Sequence, residues 1–335
     1  MRSQTCCTCI WTPASGWREG VGSAVSTSST DEYSLFRERL QFTWRRFSKT
    51  VKEIFRKKLA LAGLLIILAF VCMAVFAPWL IGPYQIYTNL SRPFLPPSSA
   101  HPLGTDESGR DIENLLVYGS QVSLLVGFAA SLMAMIVGTT LGLIAGYYGK
   151  ATDQIISRVT DFFLVIPWLP FVLVLVSVLG RSLLTIIAAI ALVSWPTTTR
   201  VIRSQVLSLK ERQFIERARA VGAGKVYILG RHILPNVMPL VWAEAVLTVS
   251  SAVFTEAFLS FFGLGWNEAG AIVSWGQMVN NAYNSLAMLR GEWWYWAPPG
   301  IFITLLVLGF AMLGYGIEEI MNPALKRRGG ASAKA

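Results

Sequence analysis

The sequence predicts an all-α integral membrane protein with six transmembrane helices, and three observations carry that prediction. The chain of 335 residues is 53% hydrophobic and only 14% charged. Its apolar residues gather into six windows, near Ala60–Ile81, Val122–Ala145, Phe162–Leu179, Leu183–Thr199, Leu240–Phe262 and Trp296–Ile317. Each window is close to the roughly 20 residues that a helix needs to cross a bilayer. With spans placed there, 25 of the 29 Lys and Arg fall on one side, and only Arg92, Arg110, Arg181 and Arg290 on the other. Such asymmetry marks the cytoplasmic face. Both termini and the connection between spans 4 and 5 are therefore expected in the cytoplasm, in a multi-pass protein of the cell membrane. On this reading the net charge of +10 reports topology. The expected partner is the lipid bilayer, and no nucleic acid is called for.

Residues 1–33 are rich in Ser, Thr and Gly without periodicity, which predicts a disordered cytoplasmic tail. They lack the apolar core of a cleavable signal peptide, so span 1 is expected to be a retained anchor. Cys6, Cys7 and Cys9 cluster there with no second ligand pair nearby, so no metal site is expected, and no cofactor. Over residues 34–58 the pattern tightens. Phe36, Leu40, Trp44, Phe47, Val51 and Ile54 recur at steps of three or four among many Arg and Lys. An amphipathic helix fits, either lying in the cytoplasmic interface or packed on the protein's own cytoplasmic face.

The first transmembrane helix is expected over 59–81, with Pro78 and Pro83 marking its outer end. Residues 82–119 form an extracytoplasmic loop. His101, Asp106, Glu107 and Asp111 within it have a spacing that fits no calcium loop, so a structural turn is expected. The core spans 120–322, with its cytoplasmic loop at 200–236, and residues 323–335 form a second cytoplasmic tail. Span 2 is dense in small residues, among them Gly127, Gly138, Gly142 and Gly146, as suits a helix inside a bundle. Arg158 and Asp161 stand three apart and are expected to pair. Pro167 and Pro170 predict a bend in span 3.

Span 5 holds two carboxylates. Glu244 lies about 12 Å along the helix from Asn236, too deep to reach water easily, and an intramembrane carboxylate is a functional-site candidate. Glu256 follows, turned about 120° from it. Two readings stand for Glu244: a wall of a translocation path, or a buried hydrogen bond at a subunit interface. Trp293, Trp294, Tyr295 and Trp296 crowd the start of span 6, where an interfacial belt is the expectation and a stacking surface for sugars the alternative.

The segment Glu211–Asn236 is the longest polar stretch between apolar runs and is basic. Lys210–Val221 has good helix formers, Gly222 and Gly224 interrupt them, and Val226–Leu234 resumes the pattern. Pro235 bars a simple continuation. Two short helices between spans make a docking element a better reading than a linker.

Glu216, Ala218, Gly222, Ile233, Leu234 and Pro235 resemble the Glu-Ala-Ala…Gly…Ile-Leu-Pro motif of the membrane subunits of ABC importers. The closest flavour is the second permease subunit of dipeptide and oligopeptide importers. His101–Asp111 resembles the segment before span 2 in that family, Thr255–Gly265 its Glu-x-x-Leu-Ser-Phe-x-Gly-Leu-Gly signature, and Trp275-Gly276 a further position, in a region expected to form a short re-entrant or cap helix. Two departures are visible. Arg217 stands where the family usually has Ala, and Gly314-Tyr315-Gly316 lacks the Asp often found between those glycines. The resemblance implies a type I ABC importer (MetI-like) permease fold. It implies a second similar permease, two ATP-binding-cassette ATPases and an extracytoplasmic substrate-binding protein as partners. It also implies that Glu216, Arg217, Ala218, Arg219, Ala220, Gly222 and Ala223 form the interface with an ATPase. Glu244 and Glu256 are the candidates for the translocation path. Peptides are the implied cargo, with nickel or oligosaccharides as alternatives.

No nucleotide site is legible. A phosphate-binding loop needs G-x-x-x-x-G-K-[ST]. Gly149-Lys150 has Ile144 and Ala151 at the flanking positions, and Gly224-Lys225 has Arg219 and Val226. The chain is thus expected to be a transport subunit, not an enzyme. An ion-driven secondary transporter would show an internal repeat and several midplane ligands, which the sequence lacks. A DNA-reading helix-turn-helix needs a third helix and its own core, which twenty-six residues between spans do not supply.

Overall fold

Helix α1 (Lys58–Val75) opens the bundle and breaks at Phe76 into a short α2 (Ala77–Ile81), where Pro78 sits in the first turn and its missing N–H removes no bond. The computed structural model describes residues 57–84, 93–267 and 272–321. The expected N-terminal tail and cysteine cluster, all but the end of the amphipathic segment 34–58, and the C-terminal tail 323–335 lie outside these residues.

The remaining helices are α3 (Ile112–Tyr148), α4 (Lys150–Val165), α5 (Trp168–Leu179) and α6 (Leu183–Lys210). They are followed by α7 (Gln213–Ala220), α8 (Lys225–Ile228), a π-helical turn (Leu229–Ile233), α9 (Leu234–Phe261), α10 (Trp275–Asn284) and α11 (Trp293–Met321). Among the described residues, five helical stretches are long and apolar enough to cross a membrane, and α4 with α5 makes a sixth if a bent pair counts as one span. The third span was expected to bend; it breaks, by 88°. Ile166 precedes a proline and takes the extended conformation that proline imposes on its neighbour. Pro170 then falls in the first turn of α5, where a proline is harmless.

Glycine sets the distance between α3 and α6. Gly138, Gly142 and Gly146 stand on one face of α3, and a Cβ on any of them would come within 2.6 to 2.8 Å of Thr198, Ile202 or Val206 of α6. Close approach of this kind replaces the hydrophobic driving force that lipid removes. Thr199 adds a polar tie, its Oγ1 donating to the Gly138 carbonyl at 3.2 Å. Gly63 brings α1 equally close to Gly309 of α11, while Gly314 abuts Leu247 of α9 and Gly316 abuts Ala60 of α1. The Gly-Tyr-Gly departure in span 6 thus serves two helix contacts, with Tyr315 exposed between them.

At the end of the bundle opposite the Glu211–Asn236 segment, Trp275 of α10 is fully buried, donates from Nε1 to the Leu116 carbonyl at 2.8 Å, and stands edge-on to Phe70 and Phe302. The short helix expected there is α10. The preceding loop is held by its own carboxylates. Asp106, 0% exposed, accepts from the backbone N–H of Ser108 and Arg110 and from Arg110 Nε. Asp111 caps α3 by accepting from Glu113 N at 3.1 Å and meets His101 Nδ1 at 3.2 Å. Glu107 accepts from the Tyr295 hydroxyl of α11. Burial pushes the Glu107 carboxyl above the ordinary glutamate range, against the Tyr295 bond, which favours the ionised form.

Gly142→Val should lower the thermal stability of the purified protein by about 1 to 3 kcal/mol, the usual cost of overpacking. Gly300→Ala, where a new Cβ meets nothing within 4 Å, should be neutral or mildly stabilising. Because the folded Glu107 binds its proton more tightly than the unfolded chain does, its contribution is full below the ordinary glutamate range and is lost as pH rises through the raised value. Glu107→Gln should flatten that part of a melting-temperature profile against pH; an unchanged profile would show that the carboxyl is not its source.

Candidate functional site

The basic end of the bundle carries an elbow. Its first arm, α7, is short and polar, and its inner face is pinned by Ile215, which is fully buried. Ile228 and Ile233 pin the second arm, and the three isoleucines join Tyr147 of α3, Ile202 and Val206 of α6 and Val237 of α9 in one apolar cluster. The elbow therefore rests on three long helices at once. Arg219 lies over the Tyr147 ring at 5.8 Å and Lys225 over Tyr148 at 5.9 Å, contacts of the cation–π kind. Lys210 donates to the Gly146 carbonyl at 3.2 Å.

The turn between the arms has a defined geometry. Gly222 N–H donates to the Arg219 carbonyl at 2.9 Å and Ala223 N–H to the Ala218 carbonyl at 3.0 Å. Gly222 takes φ of +81°. This is the Schellman arrangement that closes a helix on a left-handed residue, and glycine adopts it without a Cβ clash. Ala218 and Ala223 complete it by packing on the apolar cluster beneath. Glu216, Arg217, Arg219 and Ala220 face outward, and so do Val221 and Val226, which are 84% and 77% exposed. Of the seven residues expected at an interface, five are exposed, Gly222 shaping the turn among them, while Ala218 and Ala223 hold the arm down.

Two details differ from expectation. The first arm is shorter than Lys210–Val221, because α6 itself runs on to Lys210 and a turn at Glu211–Arg212 separates the two. Pro235 does not end the second arm. The helix widens to a π turn, with Leu234 N–H donating to the Leu229 carbonyl, and continues into α9 with the proline in its first turn. The wider turn relieves the clash that a proline ring makes with the carbonyl four residues back.

Near the break between α4 and α5 a cleft of about 430 Å³ opens between that break, α6 and α9. Glu244 lies on its wall, half-buried, and its carboxylate has no hydrogen-bond or ion-pair partner among the described residues. Glu256 does not line that cleft. It is 2% exposed, and its carboxyl accepts from Ser260 Oγ at 2.7 Å and from Ser123 Oγ of α3 at 3.3 Å. The two path candidates thus part company, one open to a cleft and one sealed between helices. Asp161 also has a different partner from the one expected: it pairs with Arg200 of α6 at 2.7 Å, not with Arg158. Arg203 holds Asp153 in the same way, so α4 is tied to α6 twice. Sequence reasoning missed Ile215 and Ile228 as anchors and the cleft as a feature; the only advance signal was Pro167.

These features describe a membrane transport subunit: a helical bundle with a broken span, a cleft beside the break and a rigid elbow at one end. Residues 138–327 match the family described as binding-protein-dependent transport system inner membrane component, and residues 39–97 match the N-terminal TM domain of oligopeptide transport permease C. The chain belongs to the first of these families. It is 41% identical over 283 residues to the dipeptide transport system permease protein DppC of Alkalihalophilus pseudofirmus, covering 84% of this chain and 90% of that protein. It is 37% identical over 297 residues to DppC of Bacillus subtilis, covering 88% and 89%. The oligopeptide transport system permease protein OppC of Bacillus subtilis is 36% identical over 270 residues, covering 81% and 87%. Family membership sets aside the ion-driven transporter.

Glu256→Ala should destabilise the purified protein by about 2 to 3 kcal/mol, because it strands two buried hydroxyls. Glu256→Gln keeps an acceptor oxygen for one hydroxyl and offers the other an amide N–H to accept from, and should cost under half as much. Equal losses by thermal unfolding would show that the carboxyl's hydrogen bonds are not what the site needs.

Proposed function

We propose that this chain is a permease subunit of an ATP-driven importer of peptides, working with a second similar permease, two ATPase subunits and an extracytoplasmic binding protein. The peptide cargo is supported by relatives named as dipeptide and oligopeptide permeases at 36 to 41% identity. The elbow is the observation that carries the mechanical part. Its outer surface is basic with apolar tips, while its inner surface is fixed to α3, α6 and α9 through Ile215, Ile228 and Ile233. A push on such an element reaches three spans together, since packed interiors transmit displacement with little give.

In this reading the elbow faces the cytoplasm, which the distribution of Lys and Arg supports, and Glu216 to Ala223 sit in a groove of an ATPase. Closure of the ATPase pair moves the elbow, and the bundles rock so that the path between the two permeases opens to the binding protein. The cleft beside Glu244 belongs to that path. Glu256 holds α3 to α9 as the bundle moves. The chain itself carries no nucleotide site in this scheme, and its partners hydrolyse the ATP.

Gly222→Asp tests the elbow. A residue other than glycine is strained at φ of +81° by about 1 to 2 kcal/mol, and the new carboxylate lies at the docking surface. Membrane insertion should be unchanged, ATP hydrolysis by the assembled complex should persist, and peptide uptake per ATP should fall on the order of tenfold. Coupled uptake at the wild-type ratio would overturn the docking assignment.

A further inference from the structure

We propose that the cleft beside Glu244 is a binding site for a protonated amino group of the cargo, held there by hydrogen-bond acceptors during passage. The inference rests on the importer reading above and adds the chemistry of what the path recognises.

The wall of the cleft is richer in hydrogen-bond acceptors than in donors. Of its five hydroxyls, all but that of Thr197 have already donated their protons. Ser194 Oγ donates to the Ile190 carbonyl at 2.8 Å, Thr248 Oγ1 to the Glu244 carbonyl at 2.8 Å, and Ser251 Oγ to the Thr248 carbonyl at 3.0 Å. A hydroxyl whose single proton is committed offers only lone pairs to a ligand. Phe163 also lines the cleft, and its carbonyl would ordinarily accept from residue 167, but that residue is proline and has no N–H. The same break brings to the cleft both the C-terminal end of α4, with the negative pole of its dipole, and the N-terminal end of α5, with the positive pole of its own. Glu244 adds a carboxylate without a partner among the described residues. Among the described residues, no Lys, Arg or His lines the cleft.

An anionic or carbonyl-ended ligand would find the Thr197 hydroxyl, the Trp168 indole N–H and the first amides of α5 to donate to it, but it would also face the Glu244 carboxylate. A primary ammonium offers three donors and one positive charge, which is what carboxylate, hydroxyl lone pairs and carbonyl together accept. Trp168 and Phe254 supply aromatic faces on the same wall, a further preference for a cation. The α-amino group of a peptide is mostly protonated at pH 7. A metal ion fits less well, since one carboxylate among neutral oxygens is a weak donor set for nickel, which prefers imidazole nitrogen.

The test uses the assembled importer in proteoliposomes, with a dipeptide and its des-amino analogue as cargo. Each is delivered at saturation by the binding protein, whose own affinity for both is measured separately. Wild type should move the amine cargo roughly tenfold faster at saturation, the effect of a charge-assisted bond, and Glu244→Gln should bring that ratio close to one. Ser251→Lys, seven residues on and on the same helix face, places a competing ammonium in the cleft. It should slow the amine cargo and spare the analogue. A ratio unchanged in both variants overturns the proposal. So does loss of the assembled complex in Glu244→Gln with recovery in Glu244→Asp, which would assign the charge to a subunit contact. If the wild-type complex moves no peptide at all, it is the importer reading that fails; if it moves both cargoes equally, only the ammonium site does.

Discussion

No side chain fits between α3 and α6 at Gly138, Gly142 or Gly146, and the geometry of the whole functional end depends on that exclusion. In lipid, apolar residues gain little by leaving one apolar surrounding for another, so helices associate through closeness of fit. The glycine seam supplies it along two turns of α3. On its basic end it sets Tyr147 and Tyr148 under the cations of the elbow. On α6 it fixes the helix whose neighbouring face carries Ser194 and Thr197 to the cleft. Elbow and cleft are therefore built on the same close helix contact.

The two acidic residues of α9 show how burial decides the role of a charge. Glu256 sits where three helices meet and finds hydroxyls within 2.7 and 3.3 Å. A carboxyl so enclosed organises its neighbours, and removing it strands them. Glu244 is half-buried beside a cleft and has no such partner among the described residues. The same side chain type, twelve residues apart on one helix, thus serves cohesion in one place and leaves acceptor capacity open in the other.

Much of the elbow was legible in the sequence because its determinants are local. Gly222 has to be left-handed, and a glycine after a run of good helix formers is how a chain writes that turn. The polar stretch, the basic surplus and the second glycine at 224 agreed. What was not legible was which residues of the elbow face inward. Ile215, Ile228 and Ile233 look alike in a mixed pattern until α3, α6 and α9 supply the surface that buries them. The partner of Asp161 went the same way: Arg158 was near in sequence, but Arg200 was near in space.

The sequence by itself determined the helical class and the position of the elbow, because lipid permits few structures and each leaves its mark in the order of residues. Tertiary structure alone decided that the third span breaks by 88° instead of bending, that the helix runs through Pro235 by widening, and that Glu244 and Glu256 have different surroundings. These outcomes depend on which atoms from distant parts of the chain come within a few ångströms, and no periodicity records that.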